Sequence, residues 1–212
     1  MPKKIVVIGP ESTGKSTLCQ MLAAHYKTIW VKEYAREYLL KNGTDYSFEN
    51  LLDIAKGQIA LEDAALYSIC NKSGTPNISA ANSPPDSYRV TIHHPIAIGS
   101  PPTTHHLPLF FDTNMYVMKV WCEFVFGKCH HWILNQIVAR KYDLYLLCNI
   151  DLPWVKDELR EYPDLETREK LYHHYKDIMI NQQVPWIDIS GTYDERLQKA
   201  IVAVDALQQT NL

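Results

Sequence analysis

The stretch from Gly9 to Thr17 reads Gly-Pro-Glu-Ser-Thr-Gly-Lys-Ser-Thr and matches the phosphate-binding pattern G-x-x-x-x-G-K-[ST]. In such a loop the backbone N–H groups converge on phosphate oxygens, and the positive end of the following helix attracts the same charge. Lys15 can reach the β- and γ-phosphates, and the hydroxyl of Ser16 can bind Mg²⁺. We therefore predict a site for ATP and Mg²⁺, with Lys15 acting in catalysis. The predicted ATP-binding residues are Gly9, Glu11, Ser12, Thr13, Gly14, Lys15, Ser16 and Thr17.

A phosphate loop of this kind also needs an acid for its metal ion. The apolar run from Leu109 to Phe111 is followed directly by Asp112. If this run is a strand next to the one that precedes the loop, Asp112 lies beside Lys15 and Ser16. We predict Ser16 and Asp112 as metal ligands. Asp112 could instead cap the helix that begins near Asn114, and the two roles are compatible.

Polar residues that could bind a phosphoryl acceptor follow the second apolar run, where ligands of open α/β sheets bind. Glu33 could orient or deprotonate an acceptor hydroxyl, and Arg36, one helical turn on, could hold a polar substrate. The alternative is an ordinary Glu–Arg pair on an exposed helix. Trp121 could stack on a flat heterocycle or belong to the core. The predicted substrate-binding residues are Glu33, Tyr34, Arg36, Glu37, Asp112 and Trp121.

Residues 151–170 form a polar stretch that contains Arg160 and Arg168. Such a stretch is typical of a lid, which excludes water and brings guanidinium charge to the phosphoryl group in transfer. We predict that both arginines act in catalysis, together with Lys15, Glu33 and Asp112. The alternative is a solvated pair of helices.

The elements that must position these residues alternate along the chain. Apolar runs at 5–8, 28–32, 107–111, 142–150 and 184–190 indicate strands, and the first run is uniformly apolar, as in a strand buried on both faces. Helical periodicity begins at Lys15 and recurs at 48–66, 114–125, 130–140, 166–180 and 193–207. We predict an α/β fold of the P-loop NTPase type, with a parallel five-stranded sheet, helices on both faces and the first strand at the centre.

Residues 68–108 interrupt this alternation, because they hold seven of the twelve prolines and only three charged residues. So long a stretch without elements is unusual inside a domain, so we predict a Pro-rich insertion in a single domain of residues 1–212. The insertion could be a surface loop or an arm that binds a partner.

Composition narrows the classes of function. The chain is 46% hydrophobic with a net charge of −3, which fits a globular protein and offers no overall attraction to nucleic acid or an anionic membrane. No apolar stretch reaches the ~18 residues of a membrane span, and the five cysteines lack C-x-x-C spacing. We expect a cytoplasmic protein with small-molecule partners, no nucleic-acid partner and no membrane insertion. The sequence leaves the oligomeric state open, a homo-oligomer included.

Five stretches together resemble the NadR-like family of ribosylnicotinamide kinases, which is grouped with AAA-type ATPases. They are Gly9 to Thr17, Glu33-Tyr34-Ala35-Arg36-Glu37, Phe111-Asp112-Thr113, Tyr142-Asp143-Leu144, and Asp151-Leu152-Pro153-Trp154-Val155 with Asp157 and Arg160. The first stretch alone is generic, whereas the combination in this order is more specific.

The resemblance implies a nucleoside/nucleotide-kinase-like fold with a lid. It implies transfer of the γ-phosphoryl group of MgATP to the 5′-hydroxyl of nicotinamide riboside, which gives nicotinamide mononucleotide. Glu33 or Asp112 would accept the hydroxyl proton, and Lys15, Arg160 and Arg168 would stabilise the phosphoryl charge. Bifunctional family members carry an N-terminal adenylyltransferase domain, and we expect this chain to match the kinase half. Other open functions are a kinase of another nucleoside or small alcohol, and a non-catalytic ATP-binding sensor.

Overall fold

The computed structural model describes residues 1–72 and 107–209. Strands and helices alternate along this part of the chain. The elements are β1 (Lys4–Ile8), α1 (Lys15–His25), β2 (Trp30–Val31), α2 (Tyr34–Asn42), α3 (Phe48–Lys72), β3 (Leu109–Asp112), α4 (Met115–Phe126), α5 (His131–Ala139), β4 (Leu144–Cys148), α6 (Leu165–Asn181), β5 (Trp186–Ile189) and α7 (Tyr193–Gln209).

The five strands form one parallel sheet in the order β2-β3-β1-β4-β5. The predicted central position of β1 is confirmed, and its residues Ile5 to Ile8 have no exposed surface. In the sequence, α2 and α3 lie between β2 and β3. In the sheet, β3 pairs directly with β1. This order brings the carboxyl ends of β1, β3 and β4 to one edge of the sheet.

Helices cover both faces of the sheet. Side chains alternate along β1, so Ile5 and Val7 pack in one apolar cluster with residues of α1 and α7. Val6 and Ile8 pack in a second cluster with residues of α4 and α6. A third cluster joins α2, α3, α4 and α5 beyond the sheet. The predicted α/β fold with two covered faces is confirmed.

Two predicted boundaries differ from the structure. Helix α3 continues to Lys72, so the first five residues of the predicted insertion at 68–108 are helical. The helix extends because Ile69 keeps the helical spacing of Leu66 and packs against the second apolar cluster. Residues 73–106, which hold most of the predicted insertion, lie outside the described residues.

The predicted lid, residues 151–170, divides into two parts. From Asp151 to Pro163 the chain contains turns but neither helix nor strand, and α6 begins at Leu165. Asp164 starts this helix because its carboxylate accepts a hydrogen bond of 2.8 Å from the backbone N–H of Thr167. We use the term lid segment for residues 151–164. Arg168 therefore lies in a helix and not in the lid segment.

In the ranges 1–72 and 107–209, no helix combines the length and the apolar character that a membrane crossing requires.

Candidate nucleotide and acceptor site

The phosphate loop connects β1 to α1, and its shape requires two glycines. Gly14 precedes α1 with φ 76°, a left-handed conformation that most side chains disfavour. Gly9 has φ 139°, and a Cβ atom there would lie 2.7 Å from the backbone oxygen of Cys148. The loop is braced from within, because the hydroxyl of Thr13 and Nζ of Lys15 donate hydrogen bonds of 2.8 and 2.7 Å to the carbonyl of Pro10.

Asp112 lies at the carboxyl end of β3, where it is in register with Val7 of β1. Its side chain is 1% exposed, and its Oδ1 atom is buried without a hydrogen-bond partner. Burial and the nearby charge of Glu33 raise the pKa of Asp112, while Lys15 and a hydrogen bond with Ser16 act in the opposite direction. The structure thus brings Asp112, Lys15 and Ser16 together.

These residues fit a magnesium ion. The bare buried Oδ1 of Asp112 and the hydroxyl of Ser16 are hard oxygen donors, which is the ligand type that Mg²⁺ prefers. The part of the chain that the structure describes holds no cluster of three or more His, Cys, Asp or Glu side chains suited to a metal. Mg²⁺ in nucleotide sites needs few protein ligands, since phosphates and water supply the rest. Asp112 does not cap α4, because Asn114 accepts the capping hydrogen bond from Tyr116 N–H.

A cavity of about 240 Å³ extends from the phosphate loop to the start of α2. Glu33, Arg36 and the lid residue Arg160 also line it. One wall is apolar and aromatic, and it is formed by α4, α6 and the lid segment. This wall consists of Val117, Val120, Trp121, Phe124, Leu159, Tyr162, Leu171 and Tyr175. Among the predicted site residues, Tyr34, Glu37, Asp112 and Arg168 do not line the cavity.

The residues at the start of α2 that were predicted to bind the phosphoryl acceptor make different contacts. Glu33 precedes the helix without making a side-chain capping hydrogen bond, and it lines the cavity. The guanidinium of Arg36 donates two hydrogen bonds, of 3.2 and 3.0 Å, to Asp157 in the lid segment. This ion pair leaves α2, unlike the Glu–Arg pair on one helix that was the alternative. The backbone N–H of Tyr34 donates to the side-chain oxygen of Gln58.

Two residues of the phosphate loop bind the lid segment. The carboxylate of Glu11 accepts hydrogen bonds from Nε1 of Trp154 at 3.3 Å and from the backbone N–H groups of Glu161 at 3.0 Å and Tyr162 at 2.7 Å. The Ser12 hydroxyl accepts one from the Val155 N–H at 3.0 Å. Glu11 and Ser12 were predicted as ATP-binding residues from their place in the phosphate-binding motif. The motif does not indicate that their side chains bind the lid segment.

The two predicted lid arginines occupy different environments. Arg160 lines the cavity and donates a hydrogen bond to the carbonyl of Val155. Arg168 is 5% exposed and donates hydrogen bonds of 3.2 Å to the carbonyls of Ile150 and Leu152, at the base of the lid segment. Burial lowers the pKa of Arg168, and the charge of Glu11 opposes that shift. Arg168 therefore holds the base of the lid, whereas Arg160 reaches the cavity.

Sequence reasoning missed Arg196 of α7, which is 2% exposed. Its guanidinium donates to the carbonyls of Thr13 at 2.9 Å, Gly191 at 2.8 Å and Asn149 at 3.0 Å, and it pairs with Asp151. It thereby joins the phosphate loop to the ends of β4 and β5. An arginine in an amphipathic helix normally indicates an exposed position, so the sequence offers no signal for this role.

Trp121 forms part of the aromatic wall and is oriented by a neighbour. Its Nε1 donates a hydrogen bond of 2.9 Å to the hydroxyl of Tyr46, and the two rings meet edge to face. The Tyr46 hydroxyl in turn donates to Glu161 of the lid segment at 3.1 Å. The ring of Trp121 is thus fixed between the third apolar cluster and the lid.

The strand order, the phosphate loop and the acid at the end of the neighbouring strand define a P-loop protein with a kinase-type fold. The chain belongs to the AAA domain family, whose model matches residues 4–75 and 104–196.

The chain is similar to the trifunctional NAD biosynthesis/regulator protein NadR of Escherichia coli and of Salmonella typhimurium. Identity is 22% over 203 residues in both cases, which is 95% of this chain and 42% of each relative. The chain thus spans less than half the length of the curated relatives that it matches. The resemblance to the NadR-like family is confirmed by these matches.

Solved structures share the fold. The crystal structure of NadR protein in complex with NR superposes with a TM-score of 0.65 at 18% identity, over 98% of this chain and 51% of that one. NadR protein in complex with NAD and AMP-PNP gives 0.60 at 19% identity, over 98% and 50%. Thymidylate kinase from Ehrlichia chaffeensis gives 0.58 at 14% identity, over 96% and 98%. These likenesses support the predicted nucleoside/nucleotide-kinase-like fold.

Proposed function

We propose that this protein is a kinase that transfers the γ-phosphoryl group of ATP to the 5′-hydroxyl of nicotinamide riboside. The observation that carries the proposal is that the phosphate loop and Glu33 line the same cavity. A phosphoryl donor held at one end and an acceptor held at the other could then meet without crossing solvent, which is the arrangement that a direct transfer requires.

Glu33 is the proposed acceptor base. Glu33 lines the cavity from the start of α2, whereas Asp112 is almost fully buried and does not line the cavity. Glu33 would orient the 5′-hydroxyl and accept its proton as the bond to phosphorus forms. Asp112 and Ser16 would hold Mg²⁺, which when bound neutralises charge on the β- and γ-phosphates.

Lys15 and Arg160 are the proposed cations for the phosphoryl group. Lys15 would exchange its hydrogen bond with the Pro10 carbonyl for phosphate oxygens, since both partners lie in the same loop. Arg160 would approach from the lid segment, since it lines the same cavity as the loop. Arg168 would act indirectly, by holding the base of the lid.

The identity of the acceptor rests on the motif set, on the relatives and on the aromatic wall. NadR relatives are described as proteins of NAD biosynthesis, and one NadR structure contains NR. Nicotinamide riboside carries a flat cationic ring, and aromatic faces such as those of Trp121 and Tyr162 attract such rings. The carboxylate of Glu33 in the same cavity favours a cation further.

The alternative acceptor is another nucleoside or a small alcohol, which the thymidylate kinase neighbour keeps in consideration. A panel of acceptors separates the two. Purified protein is incubated with MgATP and nicotinamide riboside, thymidine, uridine, adenosine or glycerol, and products are resolved by chromatography. We expect nicotinamide mononucleotide at a rate at least about tenfold above any other product, the discrimination that one lost charge–aromatic or hydrogen-bonding contact produces. Faster phosphorylation of a neutral nucleoside would reject the assignment of the acceptor.

A further inference from the structure

The lid segment is attached to the phosphate loop by Glu11, and both oxygens of that carboxylate are used. Oε1 accepts hydrogen bonds from Trp154 and Tyr162, and Oε2 accepts one from Glu161. Two of the three donors are backbone N–H groups, so they fix the path of the chain and not only the place of a side chain. Hydrogen bonds to a charged acceptor are among the stronger ones in proteins.

Arg160 lies at the centre of these contacts. The two N–H groups bound by Glu11 belong to the residues immediately after it, Glu161 and Tyr162. On the other side, the Arg160 guanidinium donates to the carbonyl of Val155, whose own N–H is bound by Ser12. Hydrogen bonds around Arg160 therefore position both its backbone and its side chain relative to the phosphate loop.

We propose that Glu11 is a positioning residue that latches the lid onto the phosphate loop and thereby places Arg160 over the phosphate end of the cavity. The inference rests on the proposed binding of ATP at this loop, and it does not depend on which acceptor is used. Glu11 is assigned to the lid and not to the nucleotide, although it lies within the phosphate-binding motif.

The direction in which ATP affinity changes when the Glu11 carboxylate is removed distinguishes a lid-positioning role from a role as an ATP-binding residue of the motif. A carboxylate that only borders the phosphates repels them, so its removal tightens ATP binding. A latch has the opposite effect, because its removal frees the lid and withdraws a guanidinium from the triphosphate. Loss of one charge-assisted interaction weakens binding by about tenfold or more.

The first experiment measures the latch without any substrate. Hydrogen exchange of the backbone amides is followed in the wild type, in Glu11→Ala and in Asp177→Asn, which removes an exposed carboxylate from α6. We expect faster exchange at Glu161 and Tyr162 in Glu11→Ala alone, since their N–H groups lose their acceptor. Unchanged exchange at these two amides would contradict the proposal that Glu11 holds the lid segment on the phosphate loop.

The second experiment measures the placement of Arg160 through ATP binding. Calorimetry gives the Kd of a non-hydrolysable MgATP analogue for the wild type, Glu11→Ala, Arg160→Ala and the double variant. We expect each single change to weaken binding about tenfold and the double variant to bind no worse than Arg160→Ala, as for residues that act through one another. Tighter binding by Glu11→Ala, or losses that add in the double variant, would overturn the proposal.

Glu11→Gln provides the conservative rescue. It removes the charge but keeps one acceptor oxygen, so we expect a Kd between those of the wild type and Glu11→Ala. Tighter binding by Glu11→Gln than by the wild type would show that the carboxylate only repels the phosphates, which contradicts the latch. The proposed kinase activity is tested separately, because ATP binding with the expected coupling but without transfer to any nucleoside would reject the function and leave the latch supported.

Discussion

Arg36 and Asp157 form a two-point ion pair, with N–O distances of 3.2 and 3.0 Å, between the start of α2 and the lid segment. Arg36 also lines the cavity, and this pair attaches the lid segment at a second place besides Glu11. The lid segment is therefore held both by the loop that would bind ATP and by the helix that would bind the acceptor. Side-chain exposures of 49% and 19% keep the pair within reach of solvent.

Asp157→Asn is expected to loosen the lid without unfolding the protein. Exposed ion pairs contribute up to about 1 kcal/mol, so KM for the acceptor should rise up to about fivefold while the melting temperature changes little. Steady-state kinetics and thermal unfolding measure the two effects. A loss of stability with unchanged KM would show that the pair serves the fold and not the site.

Lys15→Ala should lower kcat by about 10²- to 10³-fold, the usual cost of removing a preorganised charge from a transition state. The Lys15 side chain donates its hydrogen bond to the Pro10 carbonyl of the same loop, so folding should persist. Circular dichroism and steady-state rates test this. An undiminished rate would remove Lys15 from the proposed mechanism.

Gly9→Ala should abolish the phosphate loop, because φ 139° and an oxygen 2.7 Å from the added Cβ both oppose any side chain. We expect a loss of about 1–3 kcal/mol in unfolding free energy and no measurable ATP binding. Gly127→Ala is the matched control, since Gly127 also has a positive φ of 66° but no atom within 4 Å of an added Cβ. It should cost up to about 2 kcal/mol and leave ATP binding unchanged.

Glu62 should make the protein less stable as pH rises. Burial raises the pKa of Glu62 to about 7, although the hydrogen bond from Tyr142 and the charges of Arg140 and Lys4 oppose the shift and that of Asp63 adds to it. The folded state thus holds a proton that the unfolded state releases near the ordinary glutamate pKa of about 4.3. Between these two values each pH unit costs up to about 1.4 kcal/mol of stability.

Glu62→Gln tests this dependence, because a neutral amide can still accept the Tyr142 hydrogen bond. Urea unfolding between about pH 4.5 and pH 8 should show a flatter stability profile for Glu62→Gln than for the wild type. Asp177→Asn, which removes an exposed carboxylate, should retain the wild-type slope. A wild-type profile that is already flat would contradict the raised pKa.

Local patterns in the sequence predicted the parts of the site that depend on local structure. The phosphate loop, the central β1 and the adjacency of Asp112 to Lys15 each follow from an apolar run, a spacing of glycines or a connection rule. The roles of individual residues in catalysis and substrate binding stay predictions. Boundaries were less predictable, as α3 shows by continuing to Lys72.

The remaining contacts depend on residues far apart in the chain. Glu11 binds amides about 150 positions away, and Arg196 binds a carbonyl 183 positions away. The ring of Tyr34 lies so close to Gly57 of α3 that an added Cβ would fall 2.1 Å from it. Such pairings depend on how whole elements pack, and no spacing or periodicity in one sequence encodes them.

Transfer of a phosphoryl group from ATP to nicotinamide riboside within one cavity can be followed with ATP labelled at the γ-phosphorus. The label is followed into product with the wild type and with Glu33→Gln. We predict that the label enters nicotinamide mononucleotide in equal amount to the ADP formed, and that Glu33→Gln lowers this rate by about 10²-fold or more. Label recovered only as inorganic phosphate, or transfer that is unaffected by Glu33→Gln, would contradict it.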